Sequence, residues 1–250
     1  MIIFNDSPSL LTAKRYVGYF EKNHKLPEIN FPKSVLLTFQ PYLFSWIKDQ
    51  QQAKSYRIFG MDLLILPASN VGVVGGFGIG APVTAIVVEE LAALGVENFI
   101  IVGIAGSLQK AVRIADVVLC ERAIRDEGTS YHYLPDSPGE SCYANANAEL
   151  CAEVIQRLTS ASLTLHRGAG WTTDAPYRES IERVQQLQQQ AILTVDMEAS
   201  ALFAVANYLE LRSTAVFVIS DSLADLSWSP HFFSKEVSKK LQVVCKNLLT

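Results

Sequence analysis

Between residues 63 and 88 the chain carries no charged residue, and what punctuates that apolar stretch decides what the chain can fold into. Its length alone would let it cross a bilayer as one helix. Pro67, Gly72, Gly75, Gly76, Gly78, Gly80 and Pro82 all fall inside it, and so many helix-breaking residues divide it into strand, turn, strand, glycine loop and helix start. A membrane span is therefore not expected. Apolar strands without strict alternation are those covered on both faces, as in a sheet sandwiched between helices.

The same grammar runs along the rest of the chain. Short β-rich runs are expected as strands at 34–39, 63–66, 71–75, 98–103, 115–120, 164–168 and 214–220, alternating with helices at 42–52, 82–94, 147–160, 177–190, 197–209 and 230–249. That alternation implies an α/β fold with a three-layer α/β/α arrangement around a mixed, largely parallel central sheet. A hydrophobic fraction of 49% against 18% charged residues supports extensive burial and excludes a disordered chain. With no linker-like stretch, residues 1–250 are expected to form one domain, with 1–33 as an N-terminal extension. The last helix is expected to begin with Ser229 as N-cap and Pro230 at its first position, with Phe232 and Phe233 on its buried face.

A formal net charge of −4 with no run of Lys or Arg leaves no electrostatic footprint for nucleic acid or an anionic membrane. A small-molecule partner is expected instead. Cys120, Cys142, Cys151 and Cys245 are widely spaced, which predicts neither a metal centre nor a disulfide framework. No basic, then apolar, then small-residue pattern opens the chain, so a cytoplasmic location is expected.

Six segments can carry chemistry. Gly75-Gly76-Phe77-Gly78-Ile79-Gly80-Ala81-Pro82 follows a strand and opens a helix; glycines there serve either a tight turn or the close approach of a ligand to backbone N–H groups. Gly103-Ile104-Ala105-Gly106-Ser107 sits at a strand's C-terminal end, where open α/β sheets bind ligands. Arg125 to Tyr133, including His132, gathers more polar side chains than a connection requires. In Trp171 to Glu179, Thr173 or Asp174 is a candidate helix cap, and Trp171 and Tyr177 are candidate walls for a flat base. Val195-Asp196-Met197-Glu198-Ala199-Ser200 places acids and a soft apolar contact at a helix start. Finally, Val218-Ile219-Ser220-Asp221 ends an apolar strand in an aspartate, a position shielded from water where a carboxyl can act as proton donor.

Taken in this order, over roughly residues 34–223, these segments resemble the nucleoside phosphorylase and nucleosidase superfamily, and above all its uridine phosphorylase-like members. The resemblance implies cleavage of the bond between ribose and a nucleobase. It implies that Glu198, with Met197, holds the ribose hydroxyls and that Asp221 protonates the departing purine. It further implies a ribose and base site including Ser220, Ala105, Gly106, Thr173, Tyr177, Arg125 and His132, and a phosphate or water pocket at Gly78, Gly80 and Ile104. No cofactor or metal is expected, only inorganic phosphate as a possible co-substrate. The resembled enzymes are oligomers, dimers or hexamers, that complete their sites with a neighbour's residue, for which His24 is the candidate here.

The departures from the pattern bear on mechanism. Where family phosphorylases carry a Gly-Asp-Pro-x-Arg loop, this chain has Phe39-Gln40-Pro41-Tyr42-Leu43, without the phosphate-binding arginine. A second family arginine aligns with Ile101, and a motif threonine with Ile104. The Gln-x-Arg pair that reads uracil aligns with Ser180 and Glu182. A purine-type phosphorylase is thus the leading expectation, a nucleosidase using water its rival, and a non-catalytic nucleoside-binding relative the third.

Overall fold

The computed structural model describes residues 7–50, 52–66, 69, 71–135, 142–161 and 163–249. Pro67 and the first six residues of the expected extension lie outside the described residues. The chain opens with α1 (Ala13–Lys22), β1 (Ser34–Leu37), α2 (Pro41–Gln50) and the hairpin β2 (Lys54–Ile58) and β3 (Met61–Ile65). There follow β4 (Val71–Gly75), α3 (Ala81–Ala93), β5 (Asn98–Ser107), β6 (Val117–Asp126), β7 (Tyr143–Asn145) and α4 (Ala148–Thr159). The last third contains β8 (Leu165–Thr173), α5 (Ile181–Gln189), β9 (Thr194–Asp196), α6 (Ala199–Tyr208), β10 (Arg212–Ser222), β11 (Ser229–Pro230) and α7 (Lys235–Leu248). Among the described residues no helix is long and apolar enough to cross a membrane.

The strands join in one mixed sheet. Its long pairings β1 with β4, β1 with β5, β5 with β10 and β6 with β8 are parallel. Antiparallel pairing enters through β2, β3, the short strands and the contact of β6 with β10. Because β10 bonds both β5 and β6, while β9 bonds both β8 and β5, the strands β5, β10, β6, β8 and β9 form a closed ring.

Helices cover both faces. Leu43 and Ile47 of α2, Val154 of α4 and Leu241 of α7 pack with Leu36, Val102 and Val216 on one side. On the other, Val88 and Leu91 of α3 and Leu202 and Phe203 of α6 pack with Val35, Ile101 and Phe217. Neighbouring residues of one strand, such as Val35 and Leu36, thus serve opposite cores, which is why the strands read as unbroken apolar runs. Phe203 is fully buried, and truncating a side chain of that size would cost about 3–5 kcal/mol.

Three local expectations are corrected. The final helix starts at Lys235, because Ser234 caps it by accepting the amide of Glu236, while Ser229 and Pro230 pair antiparallel with Ser222 and Asp221. Phe232 and Phe233 are therefore not core residues; Phe233 is fully exposed. The helix expected at 177–190 is broken: Pro176–Arg178 makes one 3₁₀ turn, and α5 begins only after Ser180, whose hydroxyl caps it through the amide of Arg183. Neither Thr173 nor Asp174 caps that helix; Asp174 accepts the amide of Gly128 instead. Helix α1 and strand β2 have no counterpart in the sequence reading, since α1 keeps only Val17 buried and β2 is an edge strand with mostly exposed side chains.

Candidate active site

At one end of the strand ring a cavity of about 290 Å³ opens where β5, β9 and β10 converge. Gly106 is the pivot, standing opposite Val195 of β9 on one side and Asp221 of β10 on the other. A Cβ at this glycine would lie 3.0 Å from Val195 Cγ1, 3.1 Å from Asp221 Oδ2 and 3.1 Å from Leu223 Cδ1. Only a residue without a side chain leaves the aspartate its place. A register shift on β10 between Ile219 and Asp221 re-aims the strand end locally, as bulges do beside functional sites.

Asp221 is buried, and both of its oxygens are held: Oδ1 accepts the hydroxyl of Ser220 at 2.8 Å and Oδ2 accepts the indole N–H of Trp228 at 3.0 Å. The β10–β11 pairing brings Trp228 back over the carboxylate. Across the cavity, Glu198 occupies the N-cap position of α6. Its Oε1 accepts the amide of Gly80 at 2.8 Å and its Oε2 the amide of Met197 at 3.3 Å. Gly80, at φ 99, is itself the N-cap of α3, a backbone conformation side chains rarely adopt. The glycine loop thus does two things at once, turning the chain and aiming an N–H at the carboxylate. Burial, and after it the neighbouring Asp196, push the Glu198 carboxyl up to about 7.

Of the residues expected at the site, Glu198, Met197, Asp221, Ser220, Ala105, Gly106 and Ile104 come together around this cavity. Gly80 reaches it through its bond to Glu198. The others stand elsewhere. Tyr177 is 98% exposed, His132 is exposed in the 3₁₀ turn Ser130–His132, and Gly78 is exposed beside the loop. Thr173 is buried, with its hydroxyl taking the amide of Ala175. Arg125 is buried away from the cavity wall; it donates to Ser130 Oγ and to the carbonyl of Leu134 and lies over the Tyr131 ring. Trp171 packs against Val184 and Leu187 and donates to Asp126. His24 is exposed just after α1, at φ 52.

Sequence reasoning gave no wall role to Phe39, Gln40 or Phe232, and none to Pro176 and Glu179 individually although they lie in the Trp171–Glu179 segment it singled out. Burial, and after it the charge of Asp221, raise the Glu179 carboxyl to about 7. The signal for it was present, since Glu179 lies just before the capping Ser180 of a helix start. Asp196 also lines the cavity, so four carboxyl groups do so, while among the described residues no Lys, Arg or His lines it. Nor do the described residues contain a cluster of His, Cys, Asp or Glu able to hold a metal ion. Such a set of groups can stabilise positive charge at one end and, where a carboxyl is protonated, deliver a proton at the other.

Known proteins are similar to this chain in sequence and in fold. Over 156 residues the chain is 34% identical to uridine phosphorylase of Thermococcus kodakarensis, covering 57% of this chain and 54% of that protein. Over 147 residues it is 33% identical to guanosine phosphorylase of Halorubrum lacusprofundi, covering 58% of this chain and 59% of that one. The matched stretch thus spans little more than half the length of these relatives. In fold it is similar to purine nucleoside phosphorylase of Toxoplasma gondii (TM-score 0.78, 18% identity, 90% of this chain and 92% of that one). It is also similar to AMP nucleosidase of Bacteroides thetaiotaomicron (TM-score 0.73, 21% identity, 95% and 97%). The model of the phosphorylase superfamily matches residues 63–250, which include the glycine loop, the β5 and β10 ends and the Met197-Glu198 turn, and the chain belongs to that superfamily.

Proposed function

We propose that the chain cleaves the N-glycosidic bond of a purine nucleoside, with water as the acceptor of the ribosyl group. The observation that carries this reading is the polarity of the cavity, with Glu198 at one side, Asp221 at the other, and no cationic side chain between them among the described residues. As the bond to the base breaks, positive charge grows on the sugar and negative charge on the base. Glu198, ionised and fixed by the Gly80 amide, accepts the ribose hydroxyls and faces the growing positive charge. Asp221, oriented by Ser220 and Trp228, protonates the five-membered ring of the leaving purine, and Glu179 beside it offers an acceptor to N–H groups on the base edge. Water then adds to the anomeric carbon and loses one proton, which returns to the Asp221 carboxylate, so that free ribose and free base leave and the acid is restored.

A phosphate ion in this cavity would meet carboxylates without a compensating guanidinium, and losing charge-assisted donors weakens anion recognition by several kcal/mol. Phosphorolysis, with inorganic phosphate as co-substrate, is the second reading, favoured by the names of the relatives matched at 34% and 33% identity. Base release from a panel of purine and pyrimidine nucleosides, with and without phosphate, separates the two. Release of purine without phosphate supports the hydrolase, release only with phosphate supports the phosphorylase, and a preference for uridine overturns the base assignment. Binding without release would mark a nucleoside-binding relative with no catalysis.

A further inference from the structure

Asp196 lies between Glu198 and the interior of the sheet, and its two oxygens have opposite surroundings. Oδ1 accepts three hydrogen bonds, from the amides of Glu198 at 2.9 Å and Ala199 at 2.8 Å and from the hydroxyl of Thr172 at 3.0 Å. These satisfy the first donors of α6, which its own N-cap residue leaves without a side-chain cap. Oδ2 is buried and has no hydrogen-bond partner. It is turned toward Gly170, where a Cβ would stand 3.3 Å from it, 3.0 Å from Thr194 Oγ1 and 3.1 Å from Cys120 Sγ. The Thr194 hydroxyl there is unpartnered as well.

The groups facing Asp196 are Cys120 of β6, Glu127 just beyond it, Gly170 and Thr172 of β8, Thr194 of β9, and Glu198 with Ser200 at the start of α6. None of these carries positive charge. The acids are joined by a hydrogen-bonded chain: Ser200 donates its hydroxyl to Glu127 at 2.9 Å and its amide to Thr172 at 2.9 Å, and Thr172 donates to Asp196.

We propose that Asp196 is a positioning residue for Glu198: its Oδ1 fixes the turn that presents the glutamate to the cavity, and its uncompensated charge acts directly on that glutamate. The inference rests on the reading of Glu198 as the ribose carboxylate. Burial raises Asp196 to about 6, with Glu127 adding to the rise against three hydrogen bonds that lower it, and Asp196 adds to burial in raising Glu198. The charge of Asp196 thus opposes ionisation of the Glu198 carboxyl beside it. A neutral side chain at 196 removes the repulsion, so Glu198 ionises at lower pH. Since the ionised form accepts the ribose hydroxyls, the acid limb of the pH profile moves down with it.

Asp196→Asn and Asp196→Ser both keep an oxygen suited to capping the helix while removing the charge. The Glu198 carboxyl carbon, identified in the NMR spectrum by its loss in Glu198→Gln, is titrated in the wild-type protein and in both variants. The expected result is a midpoint lower by about half a pH unit or more in each variant. A kcat/KM profile for inosine should shift its acid limb by the same amount. The NMR titration needs no substrate, so it stands even if no nucleoside is cleaved. An unchanged Glu198 midpoint in the folded variants overturns the proposal, and failure of both to fold overturns it too, making Asp196 a stability residue only.

Discussion

Replacing Glu198 by glutamine separates what the carboxylate does for the reaction from what its burial costs the fold. The side chain is 7% exposed, and its carboxyl is raised from 4.5 to about 7. A carboxyl raised by folding contributes stability that is fully present below its unfolded value and is lost as pH climbs through the folded one. For a rise of this size the loss is on the order of 3 kcal/mol between about pH 4.5 and 8. Glutamine carries no charge and escapes it. It keeps an acceptor for the Gly80 amide at 2.8 Å but turns its amino group toward the Met197 N–H at 3.3 Å, and donor facing donor costs about 1–2 kcal/mol. The variant should therefore be no more stable than wild type at pH 5 and more stable by about 1–2 kcal/mol at pH 8, raising Tm there by about 3–6 °C. Turnover should fall by about 2–4 kcal/mol in barrier, or roughly 30- to 1000-fold. Calorimetry at the two pH values and a base-release assay read both effects. Wild-type turnover would remove Glu198 from the ribose site, and a variant no more stable than wild type at pH 8 would refute the account of its burial.

Asp221→Asn should slow release of a purine far more than release of a leaving group that needs no proton, such as p-nitrophenol from its riboside; equal slowing would make Asp221 a binding residue rather than an acid. Gly106→Ala should destabilise by about 1–3 kcal/mol in urea titration, since three neighbours at 3.0–3.1 Å must yield to one methyl group. Gly80→Ala meets no atom within 4 Å, so any loss measured there, about 1–3 kcal/mol, reports backbone strain alone. The protein should be a homo-oligomer, and light scattering at micromolar concentration that finds only a 27.6 kDa species would exclude it.

The parts of the site legible in the sequence are those that backbone position alone fixes. Glu198 and Asp221 follow apolar runs, so the end of the sheet is where each must emerge. Gly106 and Ile104 share that end because they lie on β5. Tyr177, His132 and Thr173 were illegible for the opposite reason: their distance from the cavity depends on which way a short turn rolls after a strand, and nothing in local spacing encodes that roll. Phe232 read as core because its spacing fits a helix with Leu241 and Val244, yet Ser234 is the better cap and the segment before it pairs with Asp221 instead. Gln40 became visible only once the β1 end had been brought to the cavity, whereas Glu179 lay in a segment already singled out and needed the structure only to show which way it faces.

The ring of five strands also dictates when in the life of the chain the site comes into being. Gly106 and Asp221 are register partners although more than a hundred residues of sequence separate them, and β9, which closes the circuit, lies between them. Contacts of such separation are slow to form because a long loop must be ordered before they return any stabilisation. On a ribosome β10 (Arg212–Ser222) is made long after β5 (Asn98–Ser107). Until it docks, Gly106 has no partner on that side and Trp228 has no aspartate to cover. Any intermediate that lacks β10 lacks Asp221 as well, so, with Asp221 as the proposed acid, base release during refolding should appear with the slowest phase rather than with the collapse of the helices onto the sheet.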